Sequence, residues 1–373
     1  VGASLELGRI AGIRVGIHWS WVVVFTLFVW TLSANVFPST NPELASGTHF
    51  AMAVVAAVLF FASVLLHELG HALQARRERI EIEGITLWLF GGVATLKGAF
   101  KSAGAELRVA VAGPVVSLLL GLLFVGIALL DPTEPVEGVA AWLGYVNLAL
   151  LVFNLAPAVP LDGGRILHAL LWQRSGDLVR STRTATSIGR GFGYALIGVG
   201  AIVALGASPF SGVWLAFLGW FLLAAAGAEG QAATARQALE GLRVGDLMAR
   251  DPVAVAPDLT LGEVLDDVVW RRRYTTYPVA ENGVALGLLP FRCMAEVPRS
   301  EWDTRRVRDC MLALADVPRY REDDDAFEAF ASLTQSPLGR GLVIDGGNRL
   351  LGLLSVTDLA RALQAPPRRP RSS

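Results

Sequence analysis

The chain has 373 residues, of which 53% are hydrophobic and 17% charged, with a mean hydropathy of +0.50 and a formal net charge of -1. Soluble proteins carry about a quarter charged residues, so a wholly soluble enzyme is excluded and a membrane protein is indicated. The near-neutral balance gives no reason to expect a direct nucleic-acid partner, and two cysteines, Cys293 and Cys310, suggest no disulfide framework and suit a reducing cytosol.

Apolar runs long enough to span a hydrocarbon core, which takes about 20 residues, lie near 17–37, 50–75, 107–130, 138–158, 186–206 and 209–228. Six transmembrane helices are therefore predicted. No A-x-A-like cleavage site follows the first run, which reads as a retained span. The second contains His67-Glu68-Leu69-Gly70-His71. On a helix, positions i and i+4 share a face, so both imidazoles can meet one metal ion with the glutamate beside it. In that arrangement two neutral histidines hold zinc and the glutamate takes a proton from the attacking water. Ionisable groups in a bilayer are costly, which weighs against a merely structural histidine pair.

Residues 80–100, IEIEGITLWLFGGVATLKGAF, are too short on either side of Gly91-Gly92 for two spans and are predicted to form a hairpin turning at that pair. The fourth span runs into NLAPAVPLDGG, where Pro157 and Pro160 break the helix just before Asp162. Backbone of that kind is untenable against lipid and must be buried in protein or line a wet cavity. A broken helix presenting one carboxylate near His67 and His71 suits a third zinc ligand; the alternative is an aspartate capping a helix from Gly163. Gly189, Gly191, Gly193, Gly198 and Gly200 give the fifth span a small-residue spacing for close helix packing. His18 and His168 read as structural or interfacial.

Lys and Arg accumulate on the cytoplasmic side of membrane proteins. Segments 38–49, 131–137 and 207–208 have none, whereas Arg9 and Arg14, then Arg76, Arg77, Arg79, Lys97 and Lys101, then Arg165, Arg174, Arg180 and Arg183 occupy the alternate side. A multi-pass cell-membrane protein with both termini cytoplasmic is expected.

At this point the membrane half resembles the site-2 proteases, intramembrane zinc metalloproteases. The resemblance rests, in order, on HWSW (His18–Trp21), HELGH, AGPVVS (Ala112–Ser117), NLAP and LDGG. It implies that His67, His71 and Asp162 bind one Zn2+ per chain, and that Glu68 is the catalytic base. It also implies that Asn154, eight residues before the aspartate, holds the substrate backbone or the developing oxyanion. The 80–100 hairpin would be membrane-associated, with an edge that could take the substrate as an added strand.

Composition changes near residue 235, beyond which charged and apolar residues alternate. There, VGDLMARDPVAV at Val244 recurs in altered form as VRDCMLALADVPRY at Val307, and LGLL recurs at Leu286 and Leu351. Each unit reads as a strand, a helix (Leu261–Trp270; Ala326–Leu333) and two strands. The expected domains are 1–235, 236–300 and 301–366, with 367–373 a disordered basic tail. The repeats resemble a tandem pair of cystathionine-β-synthase (CBS) domains, an α/β module that often binds adenine nucleotides and could form a homodimer. Gly-x-x-Ser/Thr-x-x-Asp, which grips ribose there, survives as GLLSVTD with Ser355, Thr357 and Asp358. The first repeat has GLLPFRC instead, with Pro290 and Cys293 at the key positions, so at most one ATP or AMP site is expected.

The expected whole is an intramembrane zinc metalloendopeptidase. It would act on a transmembrane or membrane-anchored regulatory protein in the bilayer, in regulated intramembrane proteolysis possible to modulate through the CBS pair. A CBS-gated transporter or channel, and an inactive scaffold of the same fold, are the alternatives.

Overall fold

The computed structural model describes residues 4–89, 91–97, 100–130, 132–266 and 274–364. The chain divides into two compact units, Val1–Gln231 and Ala232–Ser373.

The first unit opens with strands β1 (Leu5–Ile10) and β2 (Ile13–Ile17), an antiparallel hairpin that the sequence reading did not anticipate. Its two-residue turn is Ala11-Gly12, both at positive φ (51° and 81°). Hairpin turns of this kind favour Asn or Asp before Gly, and alanine disguises the signal. Helix α1 (Ser20–Thr31) continues through a π-helical segment, Leu32–Val36, and a further turn, Phe37–Thr40. Pro38 has no N–H to donate four residues back, consistent with a change of winding there. Then follow α2 (Ser46–Arg77), β3 (Glu81–Trp88), β4 (Gly91–Lys97), α3 (Ala103–Leu129), α4 (Glu134–Asn154), α5 (Asp162–Ser175), α6 (Leu178–Gly206) and α7 (Pro209–Leu239).

Six helices are long and apolar enough to cross a membrane: Ser20–Thr40, Ser46–Arg77, Ala103–Leu129, Glu134–Asn154, Leu178–Gly206 and Pro209–Arg236. The short α5 is not among them. In α2, 44% of the apolar window is buried, against 17–28% in the others, so α2 is the enclosed helix around which a polar site can be kept from lipid. Leu205, Phe210 and Ile202 are by contrast largely exposed, as side chains facing hydrocarbon would be. Phe28, Phe60, Phe61 and Trp142 pack at ring-centroid distances of 5.1–6.4 Å, mostly edge to face, and join α1, α2 and α4.

The predicted 80–100 hairpin is half of a four-stranded sheet ordered β1-β2-β3-β4, in which β2 and β3 run parallel and β3 and β4 antiparallel. Trp88 pairs with Gly91, so both glycines fall within the paired strands and the hairpin does not turn at Gly91-Gly92. Both glycines belong to β4, and Gly91 adopts φ 119°, open only to glycine.

The second unit is an interlocked repeat. Its elements are α8 (Val244–Leu247), β5 (Ala249–Arg250), α9 (Leu261–Val264), β6 (Thr276–Glu281), β7 (Val284–Pro290) and α10 (Phe291–Ala295). The second repeat supplies α11 (Val307–Cys310), β8 (Leu312–Ala313), β9 (Arg319–Tyr320), α12 (Ala326–Gln335), β10 (Arg340–Ile344), β11 (Leu350–Ser355) and α13 (Val356–Gln364). The expected opening strands of the repeats are short helices followed by two-residue strands. Those short strands are exchanged: β5 of the first repeat pairs with β11, and β8 of the second with β7. The sheets are therefore β5-β11-β10-β9 and β6-β7-β8. Between them Ala285, Leu288, Val317, Leu342 and Ile344 form one buried cluster, each large side chain contributing about 1.5–3 kcal/mol. The expected helix Leu261–Trp270 is helical over Leu261–Val264, and its end, like the tail 367–373, lies outside the described residues.

Candidate metal centre

His67, Glu68 and His71 occupy the last third of α2, preceding Arg76 and Arg77 at its end. Asp162 is the first residue of α5. Its helix starts afresh because α4 stops at Asn154 and Leu155–Leu161 is irregular, held by short turns such as Leu161 N–H to the Ala158 carbonyl at 2.8 Å. Ala158 and Val159 are buried, so this non-helical backbone is covered by protein. Gly163 and Gly164 abut the backbone of Leu155 and of Ala158–Val159, where a Cβ would collide. The two glycines thus let α5 start against its own preceding loop, with Asp162 directed at α2.

His67 Nε2 lies 3.2 Å from Asp162 Oδ2, His71 Nε2 lies 3.2 Å from Asp162 Oδ1, and the two Nε2 atoms are 3.2 Å apart. Among the described residues, these form the one group of three or more His, Cys, Asp or Glu able to hold a metal ion. The far nitrogens are engaged elsewhere. His71 Nδ1 is 2.7 Å from the Val109 carbonyl, which can only accept, so Nδ1 carries the hydrogen and neutral His71 presents a lone pair at Nε2. His67 Nδ1 is 2.8 Å from the fully buried Ser117 hydroxyl. Asp162 Oδ2 is buried with no hydrogen-bond donor. Two imidazole lone pairs and a carboxylate at these separations repel one another unless a cation or protons lie between them, and the N2O donor set suits zinc.

Helix α3 backs this cluster at Gly113, where a Cβ would strike the Nε2 atoms of both histidines. Gly113, Val109 and Ser117 recur at one-turn intervals along the face of α3 that meets the site. The sequence reading quoted Gly113 and Ser117 only within AGPVVS. A glycine and a serine in an apolar span were the available signal, whereas any residue at position 109 offers a carbonyl. Strand β4 closes another side: a Cβ on Gly92 would overlap the Glu68 side chain. β4 is an edge strand, so its outer hydrogen-bonding side is unpaired within the sheet.

Asn154 ends α4, one residue before the carbonyl that meets Gly163. Its half-buried amide makes no hydrogen bond to another described residue. His18 stands apart from the cluster, with Nδ1 2.8 Å from Ser20 Oγ, which also accepts the Leu89 N–H at 3.2 Å. His168 is likewise absent from the cluster and faces Glu106.

In the second unit, Ser355 and Asp358 form a reciprocal helix cap. Asp358 Oδ2 accepts the Ser355 N–H (3.1 Å) and hydroxyl (2.5 Å), and Ser355 Oγ accepts the Asp358 N–H (3.2 Å). Asp358 Oδ1 faces Arg361 at 3.7 Å, and Thr357 is exposed. Pro290 and Cys293 hold the matching positions in the first repeat, where α10 has no side-chain cap and lasts five residues.

The family model for peptidase family M50 matches residues 55–135 and 131–198, and that for the CBS domain matches 244–296 and 307–365. A Mycobacterium tuberculosis protein named as a zinc metalloprotease, Rip3, is 38% identical over 368 residues, covering 96% of this chain and 93% of the relative. One named likewise from Synechocystis is 32% identical over 368 residues, covering 97% and 96%. Among solved structures, the site-2 protease from Methanocaldococcus jannaschii is 28% identical, covers 61% of this chain and 94% of that one, and superposes with a TM-score of 0.41.

Proposed function

The chain belongs to peptidase family M50, the site-2 proteases, and is a multi-pass zinc metalloprotease with a C-terminal CBS pair; on that premise we propose that it cleaves a transmembrane or membrane-anchored regulatory protein. The observation that carries this reading is the convergence of His67 Nε2, His71 Nε2 and an Asp162 carboxylate oxygen beside Glu68. We assign the three converging side chains as the ligands of one zinc ion. Zinc held there would supply Lewis-acid polarisation of the scissile carbonyl and make water a stronger acid.

Glu68 takes the proton of the attacking water as the carbon–oxygen bond forms, then passes it to the leaving amine as the peptide bond breaks. Asn154, whose side-chain amide has no hydrogen-bond partner among the described residues, donates to the substrate backbone or the oxyanion. A helical substrate keeps its carbonyls in internal hydrogen bonds and must unwind before attack, so the enzyme has to offer replacement partners. Edge strand β4, with Gly92 against Glu68, is positioned to take the unwound segment as an added strand. The alternation of basic segments supports a cytoplasmic side for both termini, the metal-cluster end of α2 and the CBS pair, so that cleavage would release a cytosolic fragment.

We further propose that adenine nucleotide modulates cleavage through Ser355, Thr357 and Asp358. Support comes from the second repeat, where Asp358 engages one oxygen in the cap and turns the other to Arg361 at 3.7 Å.

The test is to express full-length Glu68→Gln, which should retain zinc without hydrolysing, and to identify the protein that co-purifies. A single-span or membrane-anchored regulator, cleaved by the wild type and stable with the variant, is expected. Wild-type protein without tightly bound metal, together with intact cellular function in Glu68→Gln, would instead favour the transporter reading.

A further inference from the structure

Two ionisable side chains between helices of the first unit, one buried and one partly buried, take no part in the metal cluster. Glu106, in the first turn of α3, is 7% exposed, and His168 lies midway along α5. His168 Nδ1 is 2.8 and 2.9 Å from the two Glu106 oxygens, and Nε2 is 2.9 Å from Thr182 Oγ1 on α6. The Thr182 hydroxyl donates to the Leu178 carbonyl at 2.9 Å, so its oxygen accepts from Nε2–H. Nδ1, facing a carboxylate, must donate as well. Both ring nitrogens then carry hydrogen, and the contact is an imidazolium–carboxylate pair.

Such a pair contributes little net stability, because desolvation offsets most of the attraction, whereas removing one partner leaves an uncompensated charge between the helices. Here it joins α5, which carries Asp162, to α3, which supports both histidines of α2. Helix α5 presents Asp162 at its start, six residues or about 9 Å of helix from His168. Helix α3 holds His71 through the carbonyl of Val109, one turn beyond Glu106, and His67 through Ser117. Gly163 and Gly164 let α5 start against its own preceding loop, and Gly113 lets α3 approach both histidines, so the Glu106–His168 contact is a polar tie between α3 and α5 set apart from these close approaches.

We propose that Glu106 and His168 are positioning residues that hold Asp162 in register with the two histidines, and so govern how long zinc stays bound. This rests on the assignment of Asp162 as a zinc ligand. The pair touches neither metal nor substrate and acts through the placement of α5 against α3.

The readout is zinc release from the full-length, zinc-loaded protein in detergent to a chromogenic chelator, with thermal unfolding measured in parallel. Glu106→Gln and His168→Gln should each release zinc about tenfold faster than wild type, as for lost supports of metal ligands. The double variant should be no faster than either single, because each removes the same pair. Ser181→Ala is the control. Ser181 is buried and bonds Ser175 and the Asp177 carbonyl at the α5–α6 junction, so its loss loosens packing without touching α3. It should release zinc at the wild-type rate.

Wild-type release from Glu106→Gln and His168→Gln overturns the proposal, as does equal acceleration by Ser181→Ala. Asp162→Asn separates the two levels. Retained zinc in that variant removes the ligand assignment and the proposal together, whereas lost zinc alongside unchanged Glu106→Gln and His168→Gln removes only the positioning role.

Discussion

Asp162 and Asp358 each stand in the first turn of a helix, each was singled out from sequence as a binding residue, and their surroundings differ. Asp358 closes a capping box with Ser355, so one of its oxygens satisfies the helix it belongs to. Asp162 caps nothing: its helix has no side-chain cap, Oδ2 is buried without a donor, and both oxygens are turned to imidazoles of another helix. A carboxylate whose lone pairs are withheld from its own helix, in a setting where that is costly, is organised for something else. A carboxylate that caps with one oxygen and turns the other to an exposed arginine can do two things, and its substitution tests both.

The largest effect expected on the membrane side is in chemistry rather than stability. Glu68→Gln should lower cleavage of a reconstituted substrate by about 10²–10⁴-fold while leaving zinc content unchanged; loss of metal in that variant would give Glu68 a different role. Next comes Gly113→Ala, which puts a methyl against both Nε2 atoms and should reduce zinc stoichiometry well below one per chain without unfolding the spans. Ser117→Ala removes the His67 Nδ1 contact and should weaken zinc affinity by about tenfold, measured by competition with a chelator. On the other side, Asp358→Ala removes a cap and should cost the second unit about 1 kcal/mol, measured by denaturant unfolding. The same variant should abolish any effect of ATP or AMP on cleavage, and an unchanged nucleotide response would remove the proposed site.

What could be read from sequence followed the range of the interaction. HELGH was legible because i, i+4 is local geometry, and Asp162 because two prolines in an apolar run announce broken backbone. The His71 support was not, since Val109 contributes only a carbonyl. Nor was the partner of His168, read as structural or interfacial, since Glu106 lies 62 residues away and has no fixed spacing to it. The β1–β2 hairpin escaped because Ala11 takes the left-handed conformation usually given to Asn or Asp. In the second unit the repeat gave the order of elements, but the exchange of β5 and β8 between sheets depends on long-range pairing of two-residue strands. A turn displaced from Gly91-Gly92 shows a finer limit: glycine marked where unusual backbone was needed, which proved to be the start of β4 rather than the turn itself.

The smallest effect separates the units by sign. Glu263 accepts the Thr260 N–H at 2.8 Å and its hydroxyl at 3.0 Å, and these bonds hold its carboxyl below the ordinary 4.5. Asp345 accepts the Arg349 and Gly347 N–H groups, each at 2.8 Å, and is held below 3.8. Their contribution to folding is present in full above those ordinary values and is lost as pH falls through the depressed ones. For His168, burial pulls the imidazole down, but hydrogen bonding and attraction from Glu106 outweigh it and leave it above the ordinary 6.5. Glu106 from α3 and Glu229 from α7 are the charged groups acting on it, with the Thr182 hydroxyl from α6 on its other nitrogen. Its contribution is present in full below 6.5 and is lost as pH rises through the raised value. Hydrogen exchange read peptide by peptide, corrected for intrinsic rates, should show α9 and the β10–β11 turn loosening toward pH 4 while α5 loosens above neutrality. Glu263→Gln and His168→Gln should each flatten the response of its own segment. Loosening of both segments in the same pH direction would mean that these bonds do not control them.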